Sequence, residues 1–213
     1  MTSSRTDPRF HAALLPLLLL AACSPARLSV DPPVGRPLVT GLDAPDRWDV
    51  KQTRFWKAEA ADGSLLVANT PLGTGISPVW LDRLLPRDFE AVVSASLEKE
   101  GLDGGWGLEF GARDRKYAYR VLMYASGRFC VDRLFDVYPE FIHCVPSQPE
   151  VGRGATANEL SVRVQGDTIS VSVNGDEVIS FLDDRYEAGG FALAVAGAGT
   201  RVRFNDIAIV SLE

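Results

Sequence analysis

The stretch Asn158-Glu159-Leu160-Ser161-Val162-Arg163-Val164-Gln165-Gly166-Asp167-Thr168-Ile169-Ser170-Val171-Ser172-Val173-Asn174-Gly175-Asp176-Glu177-Val178-Ile179-Ser180-Phe181 decides the fold. Apolar residues fall on every second position, the period of a β-strand, so Leu160, Val162 and Val164 share one face and Ile169, Val171 and Val173 share another. Gln165-Gly166-Asp167 and Asn174-Gly175-Asp176 interrupt the run as turns. Asn-Gly is the strongest short hairpin signal, because a type I′ turn needs positive φ at both central residues and this pair tolerates it best. The stretch therefore predicts a β-meander belonging to a sandwich of antiparallel sheets.

Working outward, Phe89, Ala91, Val93, Ala95 and Leu97 alternate with Glu90, Ser94, Ser96 and Glu98, which predicts a strand with one buried and one wet face. Asp62-Gly63 joins an opening hairpin made of residues 54–59 and 64–68. Further strands are predicted at Trp106–Gly111 after a turn at residues 102–105, at 116–125 and 128–135 joined by Ser126-Gly127, at 191–195, and at 202–211. Residues 70–86 carry Pro71, Gly73, Gly75 and Pro78 and read as a long connection covering one end of the sandwich, with Trp80 and Leu81 tucked beneath. Residues 136–156 hold three prolines and two glycines and read as a second long loop, pinned by Cys144. Nothing longer than about eight residues shows a 3.6 periodicity, so helix content is expected to be very low.

The chain has 213 residues, 46% of them apolar and 23% charged, which suits one all-β domain with appendages. Arg5 and Arg9 precede an apolar run from Ala12 to Ala22 that ends in small residues, the pattern of a secretory signal at residues 1–22. At ~1.5 Å per residue the run reaches roughly half of a ~30 Å hydrocarbon core, too short to span it. Leu20-Ala21-Ala22-Cys23 resembles the lipobox of bacterial lipoproteins, which implies that Cys23 is lipidated and becomes the first mature residue. Ser24 follows it where an aspartate would mark inner-membrane retention, so the resemblance implies an outer-membrane anchor on the periplasmic side. Residues 23–45 hold Pro25, Pro32, Pro33, Pro37 and Pro45 and read as an extended tether, leaving residues 46–213 for the domain. The net charge of −6 becomes −7 once Arg5, Asp7 and Arg9 leave with the signal, which argues against nucleic acid as a partner.

With Cys23 assigned to the anchor, Cys130 and Cys144 remain in a compartment where disulfides form, and they are expected to be bonded. Closing a loop of about 15 residues should contribute ~3 kcal/mol in the chain-entropy picture.

The succession of Leu85-Pro86-Arg87-Asp88-Phe89-Glu90, Tyr119 with Gly127-Arg128-Phe129, Asn158-Glu159-Leu160 with Val173-Asn174-Gly175, and Val202-Arg203-Phe204-Asn205-Asp206-Ile207 resembles the concanavalin A-like lectin/glucanase superfamily. Within it the chain looks most similar to bacterial domains related to laminin G modules and to 3-keto-disaccharide hydrolase-like domains. The resemblance covers about residues 46 to 212. It implies an all-β jelly-roll sandwich of two curved antiparallel sheets, with the first and last strands side by side.

Glycosidases of this fold need two carboxylates flanking the scissile bond. The glucanase pattern Glu-x-Asp-x-x-Glu does not occur, and Glu109 and Asp132 are the nearest substitutes, on neighbouring strands with the parity of Arg120. A solvated cross-strand pair between Glu109 and Arg120 explains the same residues without catalysis. His143 is the only mature histidine and no Gly-x-Ser-x-Gly elbow is present, so no nucleophilic triad and no catalytic residue are assigned. Asp183-Asp184 and Asn174-x-Asp176 could offer oxygens to Ca²⁺, but they are also ordinary hairpin residues, and no metal or cofactor is expected. Parity puts Trp106, Leu108 and Phe110 in the core and leaves Glu109, Arg120, Tyr124 and Asp132 on one polar sheet face, where an aromatic ring with planar polar groups forms a shallow glycan site. The reading is of a lipid-anchored, non-catalytic binding module for a glycan or another envelope ligand. A hydrolase of small saccharides and a purely structural or protein-interaction module stand as the alternatives.

Overall fold

A computed structural model describes residues 33–213 apart from positions 43, 115 and 155. The signal, Cys23 and the first part of the tether lie outside the described residues. Fourteen strands form two antiparallel sheets: β1 (Arg36–Thr40), β2 (Trp56–Ala61), β3 (Ser64–Asn69), β4 (Ile76–Leu84), β5 (Phe89–Lys99), β6 (Leu102–Asp114), β7 (Tyr117–Tyr124), β8 (Phe129–Phe135), β9 (Tyr138–Val145), β10 (Asn158–Gln165), β11 (Thr168–Val173), β12 (Asp176–Leu182), β13 (Gly190–Ala198) and β14 (Arg201–Ser211). One sheet runs β12-β11-β10-β5-β14-β3-β2 with β1 added beside β14, and the other runs β4-β13-β6-β7-β8-β9. The chain is an all-β sandwich of antiparallel sheets, as its alternation predicts, in the jelly-roll form that the resemblance implies, and one short 3-10 turn at Pro45–Arg47 is the only helical element among the described residues.

The meander forms in the expected register, with Leu160 opposite Val173, Val162 opposite Val171 and Val164 opposite Ile169. Asn174 and Gly175 both take positive φ, 52° and 90°, as a type I′ turn requires. The six meander side chains are fully buried and pack with Phe89, Ala91 and Val93 of β5 and with Phe204, Ile207 and Ile209 of β14. Trp106, Leu108 and Phe110 of β6 supply the facing layer, at most 2% exposed, so the parity assignment holds. Trp106 meets Phe204 edge-on across the sandwich, ring centroids 5.7 Å apart, a contact that couples the two sheets.

Four expectations are corrected. The stretch read as tether includes β1, whose residues pair with β14, so the sandwich begins about ten residues before Asp46. Residues 76–84 form a strand and not a covering loop: β4 is the edge of its sheet, and an edge tolerates Pro78 because no ladder bond is lost. Residues 102–105 belong to β6 and do not merely precede it: the expected turn is present as an irregularity inside the strand, with Asp103 at φ 53° and the Gly104 N–H donating to the Gly101 carbonyl at 3.2 Å. Residues 138–145 are a strand, not part of a loop. A two-residue connection at Asp136 and Val137, φ 48° and 72°, folds β9 back on β8 without the glycine that such a turn usually carries.

Candidate functional site

The two sheets treat their outward faces differently. In β11 the buried Ile169, Val171 and Val173 alternate with half-exposed Thr168, Ser170 and Ser172. In the middle of β6, β7, β8 and β13 most residues are buried, whichever way they point. The register shows what occupies the outer face of this second sheet. One row across it reads Trp80, Ala192, Glu109, Arg120, Asp132 and Phe141. The next reads Pro78, Ala194, Gly107, Leu122, Cys130 and Cys144, and a third reads Ile76, Ala196, Gly105 and Tyr124.

Through the middle of these rows the side chains are methyl groups or absent. A Cβ on Gly107 would lie 1.8 Å from the Val121 carbonyl oxygen, so no other residue fits there. Larger groups stand on either side of this alanine and glycine floor, and a groove of about 890 Å³ results. Trp80, Ile76 and Pro78 line one side, with Arg120, Tyr124 and Leu134 across from them. The segment before β2 adds Lys51, Thr53 and Phe55, and β2 itself adds its first residue, Trp56. That segment is held at the sheet edge by a bridge between Trp48 and Leu81 and by Asp49 N–H donating to the Trp80 carbonyl at 2.8 Å. Trp80 packs against a small cluster of Ala112, Ala118 and Leu134 that is separate from the main core.

Of the four site residues predicted from parity, all fall on this face, and three line the groove. Arg120 sits between Glu109 and Asp132 in cross-strand register. Its partner is Asp132, not Glu109 as the solvated-pair reading expected: Nη2 and Nε of Arg120 donate to Asp132 Oδ2 at 3.0 and 3.3 Å. Nor is the face solvated here, since the side chains of Arg120 and Asp132 are only 12% and 2% exposed. Asp132 lies beneath the arginine and does not line the groove. Tyr124 lies two rows from Arg120, with Leu122 between them, and the Arg128 guanidinium covers its ring at 3.7 Å while bonding Asp103 at 2.7 Å.

Glu109 is 5% exposed, lines the groove, and has no side-chain hydrogen bond or ion pair among the described residues. Burial pushes its carboxyl up to about 7, Arg120 draws it back and Asp132 adds to the rise. Burial likewise raises Asp132, against the pull of Arg120. The groove thus contains one carboxyl group poised near neutrality, beside an arginine whose charge is already matched.

Sequence reading missed Trp80, Trp56, Phe55 and Lys51. The available signal was parity: Ser77, Val79 and Leu81 point inward, so a strand at that place puts Trp80 outward, where a tryptophan is conspicuous. Cys130 and Cys144 are directly opposed on β8 and β9, Cα atoms 4.1 Å apart, and are bonded as expected. The disulfide lies on the groove face beside Leu122. His143 belongs to a strand, its ring centroid 6.1 Å from that of the buried Phe129. Two of the four side chains considered for Ca²⁺ have partners within the chain. Asp183 accepts from Arg133 at 3.1 Å and from Arg185 at 2.8 and 2.9 Å, and Asn174 accepts from the Glu159 N–H at 2.8 Å.

No known protein family and no curated protein matches the chain. Solved structures do. The carbohydrate-binding module CBM66 from Bacillus subtilis is 16% identical with a TM-score of 0.58, over 71% of this chain and 92% of that one. A Bacillus subtilis protein of unknown function with a galectin-like fold is 12% identical with a TM-score of 0.61, over 83% and 96%. A structure from work on endo-acting O-glycanases of the human gut microbiota that initiate mucin breakdown is 12% identical with a TM-score of 0.56, over 78% and 95%. At these identities the likeness is one of fold, a β-sandwich of antiparallel sheets.

Proposed function

We propose that this chain is an envelope lipoprotein, anchored to the outer membrane through Cys23, whose sandwich binds a saccharide without cleaving it. The observation that carries the reading is the groove itself, with Trp80 and Tyr124 along its sides and the buried Glu109 and Arg120 between them. Aromatic faces take the apolar faces of sugar rings, and a few fixed polar groups hold the hydroxyls. The similar solved structures include a carbohydrate-binding module, which agrees with this use of the fold. The reading needs no metal or cofactor.

A hydrolase remains the second reading because a carboxyl held near neutrality is what a general acid requires. Against it stands the partner group. Glycoside hydrolysis needs a second free carboxylate, whereas Asp132 is held by Arg120 and Asp103 by Arg128.

A glycan and peptidoglycan-fragment array, run beside a hydrolysis screen of the same sugars, tests the proposal. Binding without turnover is expected. Tyr124→Ala should weaken it by about 1 kcal/mol or more with little change in melting temperature, since part of a groove aromatic's contact energy goes to the ligand. Turnover abolished by Glu109→Gln would reverse the ranking, and neither binding nor turnover would point to a structural role or a protein partner. For the anchor, a clickable fatty acid should label the wild type and spare Cys23→Ala; label on both would remove Cys23 from the account.

A further inference from the structure

The saccharide reading says nothing of the ligand's charge, but the ion pairs around the groove do. Two cations line it, Lys51 and Arg120, and a third, Arg128, lies over Tyr124 at its side. Lys51 is paired with Asp49, Arg120 with Asp132 and Arg128 with Asp103. Among the described residues that line the groove, the one charge-bearing group left without a partner is Glu109. Its surroundings offer no second cation. On β13 it faces Ala192 and beyond that Trp80 of β4, neither of which titrates, while β7 presents the committed Arg120 and β8 presents Asp132.

Building on the saccharide reading, we infer that the groove accepts uncharged saccharides and rejects acidic ones, and that Glu109 is the residue that sets this preference. A carboxyl group suits an uncharged sugar in either protonation state, because it accepts from a hydroxyl when ionised and also donates to one when protonated. A uronate, sialate or sulfate entering the same space beside Glu109 finds the Arg120 guanidinium already matched by buried Asp132, and the only other cation among the described lining residues is the half-exposed Lys51, itself paired with Asp49. It must either lie beside an ionised Glu109 or keep Glu109 protonated, and like charges brought together in a dry site are strongly disfavoured. Rejection thus comes from a repulsive element placed in the site, not from weaker attraction. The raised Glu109 pKa agrees with a site in which negative charge is already hard to hold.

The test is titration calorimetry of the intact domain with matched neutral and acidic oligosaccharides, chosen from array hits, at constant ionic strength and at pH 5.5 and 8. Neutral ligands should bind about tenfold or more tightly than their uronate, sialylated or sulfated counterparts at pH 8. Lowering the pH should narrow that gap by strengthening the acidic ligands alone. Glu109→Gln keeps the shape while removing the charge, so at pH 8 the ratio of neutral to acidic affinity, read within each protein, should fall most of the way to one whatever the variant does to neutral binding itself. Acidic ligands binding the wild type as tightly as neutral ones would overturn the inference while leaving saccharide binding standing. So would a gap unchanged in Glu109→Gln. Absence of binding to either class would overturn the saccharide reading and this inference with it.

Discussion

The outer faces of the two sheets make an instructive pair. On the eight-stranded sheet the Glu98 ion pairs are open to water: Glu98 meets Arg201 at 3.0 Å and Arg203 at 2.5 Å, and those arginine side chains are 47% and 33% exposed. On the six-stranded sheet Arg120 and Asp132 form a pair of similar length that is nearly closed off from solvent. The lesson is that hydrogen-bond geometry does not set the energetic weight of an ion pair. Burial does, because both charges have already given up their hydration and neither can recover it when the other is removed.

The largest effect that would sharpen this contrast is expected from Asp132→Ala. Removing the carboxylate leaves Arg120 uncompensated, and a loss of about 3 kcal/mol in urea unfolding is expected. A loss below about 1 kcal/mol would mean that water reaches the arginine and that the two faces are alike after all.

The second effect concerns Glu109. Its folded carboxyl is raised from 4.5 to about 7, so between those values the folded chain binds more protons than the unfolded chain. The sign follows: the contribution of this group favours folding below its unfolded pKa and is lost as pH rises toward about 7. Glu109→Gln should therefore gain stability over the wild type on going from pH 5 to pH 8, by about 2 kcal/mol. Equal unfolding midpoints for the two proteins across that range would show that the groove is wetter than its geometry indicates.

The smallest effect belongs to the other sheet. Glu98→Gln should change stability by less than about 1 kcal/mol, and that change should shrink in high salt. A loss comparable with that of Asp132→Ala would erase the distinction between the faces.

The same contrast explains which parts of the molecule were legible. Where one face of a sheet is wet, alternation writes the strand directly into the sequence, and β5, β10, β11 and β14 were readable for that reason. Strands β4 and β9 were not. In β4 the period of two is present, but Pro78 and the neighbouring glycines argue for a loop unless the strand is known to lie at an edge. In β9 the hairpin turn uses Asp136 and Val137 in place of a glycine pair, so the local signal for chain reversal is missing. Val137 at φ 72° is an unusual conformation for a β-branched residue, and the paired strands on either side of it hold the turn in place.

For the site, parity placed Glu109, Arg120, Tyr124 and Asp132 on one face, and the cysteine count paired Cys130 with Cys144. Each of these follows from a rule local to the chain: side chains alternate along a strand, and two thiols in an oxidising compartment find one another. What parity leaves open is the register between strands, because every allowed register gives the same alternation. Only the folded sheet set Arg120 against Asp132 and left Glu109 without a partner. It also placed Trp80 across a floor of alanine and glycine from residues 40 positions later in the chain. A groove is a relation between segments, and the burial that separates Glu109 from a solvated carboxyl arises only when those segments have packed.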